Sequence, residues 1–144
     1  LGVVVFGNQS GQLQDMLPFK VYSLGYVKDE RSLVDVYNAV DLFVTPSLQE
    51  NLPNMIMEAM ACGVPCVGFN VGGIPEMIDH LHNGYVARFR SAEDFANGIQ
   101  WILTEPEYDE LSEQACRKAV SCYSESAVAK KYMDIYNKIT GKNA

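Results

Sequence analysis

Very little of this chain suits it to crossing a bilayer, gripping a nucleic acid or being held together by covalent staples. No apolar run approaches the roughly 18 residues that a membrane span needs, and the amino end lacks the basic region and cleavage site of a signal peptide. Basic side chains are scarce, 11 Lys and Arg against 18 Asp and Glu for a net charge of -7, so a broad phosphate-neutralising surface is not expected and only local Lys or Arg contacts remain. Histidine is confined to His80 and His82, and no CxxC or HxxxH spacing occurs, so no metal site is expected. Cys62, Cys66, Cys116 and Cys122 are even in number, but Cys62 closes a helical stretch and Cys66 opens a strand-like one. They are expected to be reduced packing thiols. No Walker loop and no Ser-His-Asp or Cys-His grouping is present. The expected location is the cytoplasm, with no nucleic-acid partner and no cofactor.

What is present is enough apolar side chain, 48% of 144 residues, to build the core of one domain spanning 1–144. The chain opens on Leu1 and falls straight into a strand, so it is expected to be an excised piece whose upstream part is missing. "LGVVVFG" (1–7) reads as a strand buried on both faces, and "FKVYSLGYV" (19–27) as a second. Leu33, Val36, Tyr37 and Val40 line one face of a helix over 30–40. "DLFVTP" (41–46) is a third strand. Met55, Ile56, Ala59 and Met60 then set a helix over 52–62, with Pro53 in its first turn and Gly63 at its end. "PCVGF" (65–69) is a fourth strand, "GGIPEMIDHL" (72–81) a turn and short helix, and "GYVARF" (84–89) a fifth strand. Helices over 92–104, 107–122 and 126–140 follow, the first capped by Ser91 with Asp94 three positions on. Short strands alternating with helices imply crossovers between parallel neighbours. The expected architecture is a doubly wound, Rossmann-like α/β domain with a parallel sheet of about five to six strands and C-terminal helices.

In such a sheet ligands sit at the carboxyl ends of the strands, which here means "PSLQEN" after the third strand and "NVGGIPE" after the fourth. Glu50 lies just before the helix and Glu58 about one and a half turns into it, so both carboxylates can face one ligand. A bland reading has Glu50 favouring the helix dipole and Glu58 on a solvated face. Glu58 stands among Met57, Ala59, Met60 and Ala61, where an unpaired carboxylate would be costly to bury and the hydroxyls of a ribose would satisfy it. Between the two, "NLPN" forms the helix's first turn, whose open amides suit a diphosphate. Pro53 has no N–H, which leaves Asn54 and Met55 as donors, unless Asn51 simply caps the helix. Gly72 and Gly73 either form a plain turn or aim bare amides into the same cleft. Asn83-Gly84 is a turn signal. Tyr26 and Val27, after the second strand, offer a nucleobase platform or core packing, Trp101 reads as core, and Lys130 and Lys131 as a solvated helix face.

Taken together, "PSLQENLPNMIMEAMACGVPCVGFNVGGIPEMI" resembles the signature region of retaining family-4 glycosyltransferases of the GT-B fold. The flanks "LGYVKDERSLVDVYNAVDLFVTPS" and "NGYVARFRSAEDFANGI" agree. The resemblance implies that Glu50 contacts the donor sugar near the reacting carbon, that Glu58 binds the donor's ribose, and that amides around Asn51, Leu52, Asn54 and Met55 serve the sugar and diphosphate. "NLPN" stands where many relatives have a Gly-Phe-Gly type of segment. The resemblance also implies a partner lobe, N-terminal to this one, that holds the acceptor, and an upstream Arg and Lys that neutralise the leaving diphosphate. Neither is in this sequence.

The expected function is therefore that of the donor-binding lobe of a retaining glycosyltransferase. It takes a UDP- or GDP-sugar to an acceptor glycan or lipid-linked sugar, with peripheral membrane contact through the other lobe and no activity in the fragment alone. Two alternatives are a non-catalytic nucleotide-sugar-binding module and a GT-B nucleotide-sugar epimerase, against which the paired glutamates argue.

Overall fold

Every strand pair runs parallel, as expected when short apolar runs alternate with helices long enough to return the chain to the same sheet end. The computed structural model describes residues 1–7 and 16–141, in two compact units, Leu1–Val40 and Asp41–Ala144. Among the described residues are five strands, in hydrogen-bonded orders β1-β2 and β3-β4-β5.

In the first unit β1 (Gly2–Phe6) pairs with β2 (Lys20–Gly25), and α1 (Glu30–Asn38) follows. Asp29 starts α1 by accepting from the Ser32 amide at 2.9 Å, a side-chain N-cap that satisfies one orphan donor. Tyr37, from the helix's apolar stripe, is buried and meets Phe6 edge-on with ring centroids 6.0 Å apart.

The second unit contains β3 (Phe43–Thr45), α2 (Asn54–Ala61), β4 (Cys66–Phe69), α3 (Ile74–Met77), β5 (Gly84–Ala87), α4 (Ala92–Thr104), α5 (Tyr108–Tyr123) and α6 (Glu125–Thr140). All of β4 is buried, and its alternating side chains show why the sheet is covered twice. Val67 points to Ile102 and Leu111, with Tyr85, Phe95, Ile99 and Trp101 packed around them. Cys66 and Gly68 point the other way, towards the Ile56 carbonyl of α2 and the Ile74 side chain of α3. Thus α4 covers one face while α2 and α3 cover the other, which is the doubly wound arrangement. Trp101 itself is half-buried and Leu103 exposed, so Ile102 and Gly98 are the buried residues of that helix.

Helix ends explain where the elements stop. Gly63, at φ +75°, ends α2 with its own amide on Met60 O and the Val64 amide on Ala59 O, a two-bond left-handed cap open to glycine. Ser91 caps α4 by accepting from the Asp94 amide at 3.3 Å. The Asp94 carboxylate turns instead to the Arg88 amide and the Tyr85 hydroxyl.

Local contacts set the finer detail of three segments. The short helix expected within 72–81 is Ile74–Met77, and it goes no further because the Asp79 amide that would prolong it is taken by the Asn83 side chain at 2.9 Å. The left-handed residue of the turn before β5 is Leu81, at φ +63°, while Asn83 points inward. Gly84 is there because a side chain would run into the Cys66 carbonyl of the neighbouring strand. Finally, α6 buries no residue, leaving Tyr132, Ile135, Tyr136 and Ile139 exposed along it. No helix among the described residues is long and apolar enough to cross a membrane.

Candidate functional site

The loops that leave β3 and β4 at their carboxyl ends are joined backbone to backbone. The Gly73 amide donates to the Asn51 carbonyl at 2.6 Å. A side chain at Gly72 would overlap the Glu50 carbonyl oxygen, and one at Gly73 would overlap that of Asn51 and stand 2.9 Å from Leu52 Cδ1. Gly72 also has φ +55°, a left-handed conformation that L side chains disfavour. The Gly-Gly pair is therefore what lets the loop bearing Glu50 lie directly on the turn after β4. Gly73's amide is engaged in that clasp and does not face outward.

Just beyond the clasp, α2 begins without any capping side chain. Its N-cap is Pro53, in extended conformation, and no acidic residue occupies its first turn. Asn51 is not the cap: it lies two positions before the N-cap, makes no side-chain cap bond, and its carbonyl accepts from Gly73. Only the Ile56 amide closes back, onto Pro53 O at 3.1 Å. The amides of Asn54 and Met55 have no hydrogen-bond partner among the described residues. The positive end of the helix dipole therefore meets solvent beside Glu50.

Glu58 stands one turn further along. Ile56, Ala59 and Met60 form the buried stripe of α2, while Asn54 and Met55 are exposed and Glu58 is half-buried. The spacing puts Glu58 on the face shared with Asn54 and Met55, so the apolar residues beside it in sequence do not surround it in space. Towards the helix end, burial first, then the Cys116 thiol and the Glu58 carboxylate, push the Cys62 thiol above its ordinary value. Burial alone pushes Cys66 up. All four cysteines are free thiols.

Two residues of this region were not singled out from sequence. The Thr45 and Ser47 hydroxyls are 3.1 Å apart at the end of β3, a polar pair beside the Glu50 loop whose only sequence signal is a pair of hydroxyl residues flanking Pro46. Leu52, expected to contribute an amide, also presses its side chain towards Gly73. Tyr26 and Val27 belong to the first unit, Tyr26 exposed and Val27 half-buried. Two concavities of the second unit, of about 210 and 340 Å³, are lined by Leu81, His82 and Trp101 and by Asp41, Leu103 and Tyr108 respectively. They lie where the chain enters β3 and β5 and leaves α4, at the amino ends of the strands, and none of the clasped residues lines them. No three His, Cys, Asp or Glu side chains among the described residues are grouped to hold a metal ion.

A parallel sheet covered on both faces, with its irregular loops and an open helix amino end gathered at the strands' carboxyl ends, is the architecture of one lobe of a GT-B glycosyltransferase. The chain belongs to the family described as Glycosyl transferases group 1, whose pattern matches residues 2–105. It is 34% identical over 97 residues to N-acetyl-alpha-D-glucosaminyl L-malate synthase of Bacillus anthracis, an alignment covering 67% of this chain and 26% of that protein. Its fold is similar to that of sucrose-phosphate synthase from Thermosynechococcus elongatus, with TM-score 0.77 and 27% identity over 92% of this chain and 34% of the other. It is also similar to Anabaena HepE, solved in complex with UDP and glucose, with TM-score 0.75 and 21% identity over 94% of this chain and 40% of the other. The chain thus spans about a quarter to two fifths of the length of these relatives.

Proposed function

We propose that this chain holds the nucleotide diphosphate sugar of a retaining glycosyltransferase of family 4, which transfers that sugar to an acceptor glycan or lipid-linked sugar held by another part of the polypeptide. One observation carries the reading: the Glu50 loop, which runs directly into the uncapped amino end of α2, is clasped by Gly72 and Gly73 onto the turn after β4, at the carboxyl ends of parallel strands. In the proposed arrangement the Asn54 and Met55 amides face the diphosphate, Glu58 takes the ribose hydroxyls one turn along the same face, and Glu50 meets the sugar.

Breaking the anomeric bond places positive charge on the sugar ring and negative charge on the departing diphosphate. Preorganised amides at a helix amino end stabilise the second without reorganising during reaction. The Glu50 carboxylate would orient the ring and favour its cationic character. The remaining positive charge is proposed to come from outside this chain, which alone would bind donor without transferring it. We propose a cytoplasmic enzyme whose donor chemistry needs no metal.

The test uses the full-length polypeptide. Calorimetry with UDP, GDP and their sugars reads donor binding, UDP being tried first because HepE was solved with it. Glu50→Gln is expected to lower kcat by on the order of 10²-fold while leaving the unfolding temperature unchanged. Turnover equal to wild type would remove Glu50 from the chemistry, and a folded wild type indifferent to every nucleotide sugar would end the donor-binding reading.

A further inference from the structure

We infer that Gly72 and Gly73 are positioning residues for Glu50, acting through the backbone clasp and not by gripping the ligand themselves. This rests on the donor-binding reading above and goes beyond it by dividing the site into a part that recognises the sugar and a part that recognises the nucleotide.

The geometry is one-sided. Gly73's N–H, the group a bare glycine would offer an anion, is already given to the Asn51 carbonyl at 2.6 Å. Gly72's missing side chain leaves the space that the Glu50 carbonyl fills, and Gly73's leaves the space of the Asn51 carbonyl. A methyl at either position cannot be absorbed by a flexible side chain turning aside, because what it meets is main chain. The loop must move, and the residue that moves with it is Glu50. By contrast Asn54, Met55 and Glu58 ride on α2, whose Ile56, Ala59 and Met60 are fully buried and whose far end is tied by the Ser112 hydroxyl on Gly63 O at 2.6 Å. The helix is thereby anchored independently of the clasp, so the diphosphate and ribose contacts stay put when the Glu50 loop is displaced.

The experiment is a binding and rate comparison of Gly72→Ala, Gly73→Ala, Glu50→Ala and the Gly72→Ala/Glu50→Ala double variant of the full-length polypeptide, with the nucleoside diphosphate and the corresponding nucleotide sugar that wild type binds. Each glycine variant is expected to unfold cooperatively and to bind the nucleoside diphosphate within about threefold of wild type. It should also lose at least tenfold in the extra affinity conferred by the sugar and in kcat. Because the glycine acts through Glu50, the double variant should be no slower than Glu50→Ala alone, a non-additivity that a general loosening of the domain would not give. A drop in nucleoside diphosphate affinity with the sugar's contribution intact would show the glycines gripping the diphosphate and overturn the inference. Fully additive losses, or glycine variants that no longer unfold cooperatively, would overturn it as well, the latter by making the clasp a requirement of the fold. A wild type that binds neither ligand would instead bring down the donor-binding reading itself.

Discussion

Asn83 is the one buried polar residue recorded among the described residues, with 1% of its surface exposed, and replacing it should cost more than breaking the ion pair beside it. Its Oδ1 accepts from the Asp79 amide at 2.9 Å and its Nδ2 donates to Asp79 Oδ2 at 3.4 Å. On its other side Asp79 is held by Lys118 Nζ of α5, at 2.8 and 2.9 Å. Asn83→Ala deletes one well-formed and one long hydrogen bond and leaves the Asp79 amide without its acceptor. A donor orphaned in this part-buried position costs about 1–2 kcal/mol, the lower part of the buried range, and with a small cavity added at buried Asn83 the expected loss is about 2–3 kcal/mol. At roughly 3–5 °C per kcal/mol for a domain of this size, the midpoint should fall by about 6–15 °C. Lys118→Met is the comparator. Partial burial pulls the Lys118 ammonium down, but the hydrogen bond and charge of Asp79 outweigh this and hold it above its ordinary value. With Asp79's side chain 46% exposed, solvent screens the pair to no more than about 1 kcal/mol. Thermal and urea unfolding of both variants decide the matter. If Asn83→Ala stays within about 0.5 kcal/mol of wild type, the usual range of neutral surface changes, or if Lys118→Met costs the more, the reasoning from buried satisfaction is wrong.

Gly98 sits inside α4, where alanine would ordinarily gain about 1 kcal/mol of helix propensity. Here the added methyl would stand 2.7 Å from Cγ of Tyr85, whose hydroxyl is on Asp94 at 3.1 Å and whose ring packs on His80 and Trp101. Overpacking against a ring is expected to cost about 2–3 kcal/mol, so Gly98→Ala should be net destabilised by about 1–2 kcal/mol and unfold at a lower urea midpoint; a raised midpoint would show Tyr85 free to swing aside. The Arg88 amide, chiefly, with help from the Tyr85 hydroxyl and the Arg88 guanidinium and against some burial, holds the Asp94 carboxyl below its ordinary value. A carboxylate depressed by folding stabilises the native state above its unfolded value of about 3.9 and ceases to as pH falls through its folded one. Asp94→Asn should thus be less stable than wild type at neutral pH, and the gap should close below about pH 4; a gap that is constant from pH 7 to 3 would refute the assignment.

Much of this fold can be read along the chain because its signals are local. Ser91 and the apolar spacing of Phe95, Ile99 and Ile102 mark α4 at the bounds observed, 92–104. Gly63 marks the end of α2 because φ +75° is a conformation that glycine adopts without the strain a side chain brings. What could not be read depends on elements distant in sequence. That Glu58 is only half-buried follows from which side of α2 meets the sheet and α5, whereas its sequence neighbours suggested an apolar burial. The use of Gly72 and Gly73 depends on carbonyls more than twenty positions earlier. Asn83 looked like the start of a tight turn, yet it turns inward to take the Asp79 amide and cuts α3 short. In the candidate site the residues were legible as types, two carboxylates, bare amides and paired glycines, while the clasp that joins their loops was not.

The parallel pairing of β3, β4 and β5 also has a kinetic side. Phe43 pairs with Cys66 and Cys66 with Gly84, so no rung of this ladder can close before a whole helical crossover has been traversed. Loop entropy must be met first and repaid only when the next strand arrives. This unit should fold more slowly than a helical bundle of equal length, and during that delay the fully apolar β4 segment "CVGF" is the stretch most in need of shelter from other chains.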